Sequence, residues 1–112
     1  LAEKRFVKRR GKRIKLYFGV DSPNRMAFTE DITREGLFIR TALVSNPGTQ
    51  IKVELNPPEG AVQLVAEVRW GKKVPPQLLH KMKGGMGMKI LAFQSGEEIY
   101  EKLCATLYGE KA

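Results

Sequence analysis

The chain has 112 residues, a formal net charge of +8 and a single cysteine, Cys104. That length suits one domain burying roughly two-thirds of its unfolded surface, so the core needs no metal or disulfide staple. One cysteine excludes a disulfide framework and a cysteine-based zinc cluster, and no apolar run or leader pattern marks a membrane span or secretion, so a cytoplasmic protein is expected.

The charge is concentrated at the start. Lys4, Arg5, Lys8, Arg9, Arg10, Lys12, Arg13 and Lys15 stand against Glu3 alone, giving the first fifteen residues +7 of the total +8. Such a block points to an anionic partner, with a merely solvated leader as the plain alternative. Residues 1–12 have no apolar periodicity and are expected to form a mobile basic arm. A chain that opens on Leu1 rather than Met is also expected to be a piece of something longer.

Beyond the arm the pattern is β. Ile14, Leu16, Phe18 and Val20 alternate with Lys15, Tyr17 and Gly19, the period of a half-buried strand. Asp21-Ser22-Pro23-Asn24 signals a turn, and Met26–Ile32 reads as a second strand. It ends at Asp31-Ile32-Thr33-Arg34-Glu35-Gly36, where Asp and Thr side chains suit a corner and Gly36 is free to take positive φ as the chain reverses. Leu37–Arg40 makes a third strand, with Leu37 and Ile39 on one face. Asn46-Pro47-Gly48 leads into Ile51, Val53 and Leu55, and Asn56-Pro57-Pro58-Glu59-Gly60 turns the chain again.

The longest strand follows, with Val62, Leu64, Ala66, Val68 and Trp70 in one phase and Gln63, Val65, Glu67 and Arg69 in the other. Its period assigns Trp70 to the core face or the barrel rim, against the competing reading of a ring that stacks on a ligand. A loop at 72–83 holds Pro75-Pro76, and Gly84-Gly85-Met86-Gly87-Met88-Lys89-Ile90 forms a last strand whose glycines permit close backbone approach or a bend. The tail is helical over 95–109. Ser95 and Glu98 match a capping box, and Ile99, Leu103 and Leu107 repeat at helical spacing beside Tyr100, Cys104 and Tyr108. The expected fold is therefore all-β, a small antiparallel barrel over residues 13–92, closed or flanked by one C-terminal helix.

Catalytic motifs are missing. His80 is the only histidine and stands in a basic loop without cysteine or carboxylate neighbours in sequence. No nucleophile elbow, phosphate loop or zinc-protease motif occurs, so an enzyme is not expected.

Arg5-Phe6-Val7-Lys8-Arg9 places two arginines four apart, and Asp31-x-Thr33-x-x-Gly36 follows after one strand. The ordered pair resembles the PilZ domain family, whose signature is Arg-x-x-x-Arg and then Asp/Asn-x-Ser-x-x-Gly. The Gly-Met-Gly-Met-Lys-Ile strand is similar to the last strand of such domains, and the likeness covers nearly the whole chain. It implies a six-stranded antiparallel β-barrel that binds cyclic di-GMP, a bacterial second messenger, with no metal or other cofactor. By that resemblance Arg5 and Arg9 hold phosphates and stack on guanine. Asp31 accepts from a guanine edge, Thr33 adds a polar contact and Gly36 shapes the turn beneath the ligand. Arg10 is a candidate third phosphate contact.

Residue chemistry points the same way. An arginine fork matches both phosphate and the face of a base, and a carboxylate accepts side by side from guanine N1–H and N2–H₂. Thr33 departs from the usual serine: the hydroxyl is kept, but the added methyl stiffens χ1 and takes space beside the ligand. The expected partners are cyclic di-GMP and a downstream protein or fused domain. Two alternatives stay open, a small barrel that binds nucleic acid non-specifically and a PilZ-like adaptor that has lost its ligand.

Overall fold

The computed structural model describes residues 13–79, 81–82 and 84–107. Six strands follow one another: β1 (Lys15–Gly19), β2 (Arg25–Ile32), β3 (Gly36–Arg40), β4 (Gln50–Leu55), β5 (Val62–Lys72) and β6 (Gly85–Ser95), with α1 (Glu97–Leu107) last. Neighbouring strands are antiparallel throughout and close into a ring in the order β1-β2-β3-β6-β5-β4.

The alternation of the sequence becomes the wall of this ring. Leu16, Phe18, Ala27, Leu37, Ile39, Ile51, Val53, Leu55, Val62, Leu64, Ala66 and Val68 point inward and are buried. At about 1.5–3 kcal/mol for each large side chain withdrawn from water, this interior is the main force holding the barrel. Thr29 is a buried polar residue of the interior, and its hydroxyl accepts from the Ile14 N–H at 2.9 Å. The Thr29 N–H in turn donates to Ile14 O at 2.9 Å, so pairing with β2 continues one residue upstream of β1.

α1 closes the barrel end at which β2, β4 and β6 finish. Its Tyr100, Leu103 and Cys104 join the core, and Ile99 presses so closely on Gly60 that a Cβ there would lie 2.8 Å from Ile99 Cδ1. The helix starts differently from the capping-box expectation. Ser95 is the last residue of β6; Gly96 turns the chain at φ +83° and its carbonyl accepts from the Tyr100 N–H at 2.9 Å. Gly96 therefore acts as N-cap, because only a residue tolerant of positive φ passes directly from this strand into this helix. β6 also runs five residues beyond the expected Ile90, and residues 108–109 of the expected helix lie outside the described residues.

Between β5 and β6 the chain makes one 3₁₀ turn (Pro76–Leu78). Arg40 holds this loop: its guanidinium donates to Leu79 O and, at 3.3 Å, to Met82 O, while Glu30 lies 3.6 Å away on the other side. His80 lies outside the described residues.

Candidate functional site

Two irregularities in strand pairing build the site. On β2, Thr29 faces Ile39 but Asp31 faces Phe38, so Glu30 is an extra residue. Without that bulge Asp31 would share the inward phase of Ala27 and Thr29; with it Ile32 turns inward and Asp31 turns to the outer face. On β5, Val68 faces Met88 but Trp70 faces Gly87, which makes Arg69 the extra residue. Trp70 thereby leaves the phase of Val62, Leu64, Ala66 and Val68 and is 52% exposed. The expected core or rim position of Trp70 is thus corrected: a strict period of two fails across a bulge.

The pairings then align one outer row over four adjacent strands. Asp31 on β2 pairs with Phe38 on β3, Phe38 with Gly87 on β6, and Gly87 with Trp70 on β5. At a strand spacing of about 4.8 Å the row is about 14 Å long. Gly87 supplies its gap. The indole leans over the glycine, where a Cβ would lie 2.3 Å from Trp70 Nε1, and stacks on Phe38 with centroids 5.0 Å apart at 16°. The result is a two-ring platform with a carboxylate at one end. Gly87→Ala is expected to push the exposed indole off Phe38 while lowering unfolding free energy by only about 0.5–1.5 kcal/mol, the scale of one aromatic pair. Near-ultraviolet circular dichroism beside a urea melt checks this; an unchanged aromatic signal counts against the close contact.

The corner at 33–36 flanks the row. Thr33 N–H donates to Gly36 O at 2.9 Å, and the Thr33 hydroxyl accepts from Gly36 N–H at 3.1 Å and from Glu35 N–H at 3.3 Å. The hydroxyl also lies 3.2 Å from Gly36 O, to which it donates. Thr33 thus shapes the corner with its own side chain, and the stiff χ1 of a β-branched residue favours a hydroxyl held in one place. The expectation that Gly36 reverses the chain with positive φ is corrected: Gly36 is not among the positive-φ glycines. It is needed because a Cβ would meet Met88 O on β6 at 2.2 Å.

Asp31, Thr33, Gly36, Phe38, Arg69 and Trp70 line one depression of about 230 Å³, with Gly87 and Met88 at its floor. Arg69 and Phe38 are contributors that the sequence reading missed. Arg69 looked like an ordinary outward residue; it is the extra residue of the β5 bulge and lines the depression beside Trp70 in sequence. Its ion pair with Glu67 is long, 4.0 Å, and exposed, so it holds the guanidinium only weakly against a competing anion. A larger depression of about 520 Å³ lies near the turn at 20–24 and residues 42–45, but it contains none of the signature residues. Arg5, Arg9 and Arg10 lie outside the described residues.

Residues 3–103 match the family described as PilZ domain. The chain belongs to the PilZ domain family. PilZ domains are cyclic di-GMP-binding receptor domains rather than enzymes, and signalling follows from that membership. No curated protein and no solved structure matches the chain. The closed six-stranded barrel and single C-terminal helix are those expected of a PilZ domain. Asp31, Thr33 and Gly36, the residues whose spacing resembles the PilZ signature, line the same depression. Among the described residues no group of three or more metal-ligating side chains occurs, and no helix is long and apolar enough to cross a membrane.

Proposed function

We propose that this PilZ domain is a cytoplasmic, non-enzymatic receptor that binds cyclic di-GMP on the outer face of β2, β3, β6 and β5 and folds its basic arm over the bound ligand. The observation that supports this most is the row Asp31–Phe38–Gly87–Trp70, in which two bulges turn an acid and an indole toward one face. A cyclic dinucleotide presents two flat bases with N–H donors and two phosphates. Asp31 accepts from one guanine edge, Trp70 stacks on a base, and Thr33 and Gly36 form the corner beneath it. Arg5, Arg9 and Arg10 hold the phosphates, with Arg69 on the far side.

Micromolar binding requires about −8 kcal/mol. A stacked base contributes about 1–3 kcal/mol and a charge-assisted hydrogen bond about 1.5–3 kcal/mol, so several of these contacts must act together. The arm has a short path to the site. Arg13 lies with its guanidinium carbon 5.4 Å from the centre of the Phe28 ring, and Ile14 pairs with Thr29. The described chain therefore begins alongside β2, upstream of Asp31 by the two residues from Thr29. Arg9 stands four residues before Arg13, a tether of at most about 14 Å. Closing the arm over the ligand is an order–disorder switch, which would reorient a domain or partner attached upstream.

Calorimetry with cyclic di-GMP and, separately, GTP tests the reading. The expected result is saturation at one or two cyclic di-GMP molecules per chain, with GTP much weaker. Trp70 is the only tryptophan, so its fluorescence should change along the same isotherm. Binding that leaves the indole signal untouched argues against stacking at Trp70, and no saturable binding sinks the receptor reading.

A further inference from the structure

A buried hydroxyl holds the signature corner from below. Tyr100 on α1 is 1% exposed and its hydroxyl donates to Thr33 O at 2.6 Å, with Gly36 O at 3.2 Å. These carbonyls belong to the two residues that close the corner on themselves. The Tyr100 ring is fixed in turn by Phe93, tilted at 54° with centroids 5.3 Å apart. β6 grips the corner separately through Ile90 N–H and Glu35 O at 2.8 Å. The corner thus has one face on the depression and its backbone carbonyls tied to the helix.

We infer that Tyr100 is a positioning residue for the ligand corner and that it couples α1 to the site, so that ligand binding and helix docking strengthen each other. This rests on the cyclic di-GMP reading above. Without the hydroxyl, Thr33 O loses a short donor at a part-buried position and the corner relaxes away from the geometry that presents Asp31 and Thr33. Coupling of this kind is reciprocal: whatever the corner gains from a docked helix, the helix gains from an occupied corner.

The test uses wild type, Tyr100→Phe and Leu103→Ala. The first substitution keeps the ring and removes only the hydroxyl. The second loosens the same helix at a fully buried position with no hydrogen bond to the corner. All three are titrated with cyclic di-GMP at a temperature where circular dichroism shows each folded, and amide hydrogen exchange is followed by NMR. Tyr100→Phe is expected to weaken binding about threefold to tenfold, the scale of one hydrogen bond. It should also speed ligand-free exchange at the Thr33 and Gly36 amides. Leu103→Ala is expected to lower the melting temperature more; at a temperature where α1 remains docked in nearly all molecules it keeps the Tyr100 hydroxyl on the corner and leaves affinity within about twofold. In wild type the ligand should slow exchange of α1 amides, Tyr100 included.

Equal affinity of Tyr100→Phe and wild type overturns the inference, as does an equal loss in Leu103→Ala. A wild type that does not bind sinks the receptor reading instead. The ligand-free exchange of Thr33 and Gly36 then still decides positioning, and an unchanged rate in Tyr100→Phe overturns it.

Discussion

Arg9→Ala is expected to weaken cyclic di-GMP binding by about 2–4 kcal/mol, while Lys12→Ala leaves it nearly unchanged. The two differ in kind. An arginine that grips a phosphate with a planar fork also lies against a base, and removing it leaves a desolvated anion without its partner. A lysine elsewhere in the arm adds only a screened point charge. The comparison also separates this receptor from a non-specific nucleic-acid binder, in which each cation contributes about equally and affinity falls steeply with salt. Isothermal titration of both variants at two salt concentrations gives the answer, and equal losses would refute a specific site. Hydrogen exchange over residues 4–12 should slow when ligand is added to wild type; identical exchange with and without ligand would rule out a closing arm.

Gly85→Ala is expected to cost about 3 kcal/mol or more of folding stability. Gly85 has φ +150°, and a Cβ there would lie 1.8 Å from Ile39 O and 3.1 Å from Arg40 Cα. Both obstacles are backbone, so no side chain can swing aside. The residue also begins β6, paired with Arg40 on β3 and with Lys72 on β5, where the ring is joined. At about 4 °C or more per kcal/mol, the melting temperature should fall by more than about 10 °C. Gly48→Ala is the control. It shares a positive φ, +92°, but has open space around it, so only the backbone penalty of about 1–2 kcal/mol remains. Urea unfolding of both variants measures the difference, and equal midpoints would refute the tight β3–β6 approach.

The strands along the chain and most of the core were legible because alternation and turn chemistry are local. Ile14–Phe18, Ile51–Leu55 and Val62–Val68 each carry their period openly, and Pro or Gly marks the reversals between strands. Val20, expected in the same phase, is corrected, since β1 ends at Gly19 and Val20 lies exposed in the turn. The corner from Thr33 to Gly36 was legible as well, since its hydrogen bonds span only a few residues. What could not be read was the facing of Asp31 and Trp70. A bulge is decided by how many residues the neighbouring strand offers, and nothing in Glu30 or Arg69 themselves announces an extra residue. Gly87 carries the one hint, as a position cleared for something large to lie across it. Ser95 misled for a similar reason: its spacing to Glu98 suits a cap, but β6 extends through it to complete its pairing with Gln63.

Closure of the barrel limits how such a receptor can speak to others. Among the described residues each strand has a neighbour on both sides over its central part, so no whole strand edge is open to an added strand. Only overhangs past the paired registers, such as residues 91–95 of β6 beyond β3, have a single neighbour. On the function proposed above, a downstream partner is expected to read chiefly side chains, around the bound nucleotide or along the terminal helix. For the same reason the domain should tolerate crowded expression without edge-to-edge self-association.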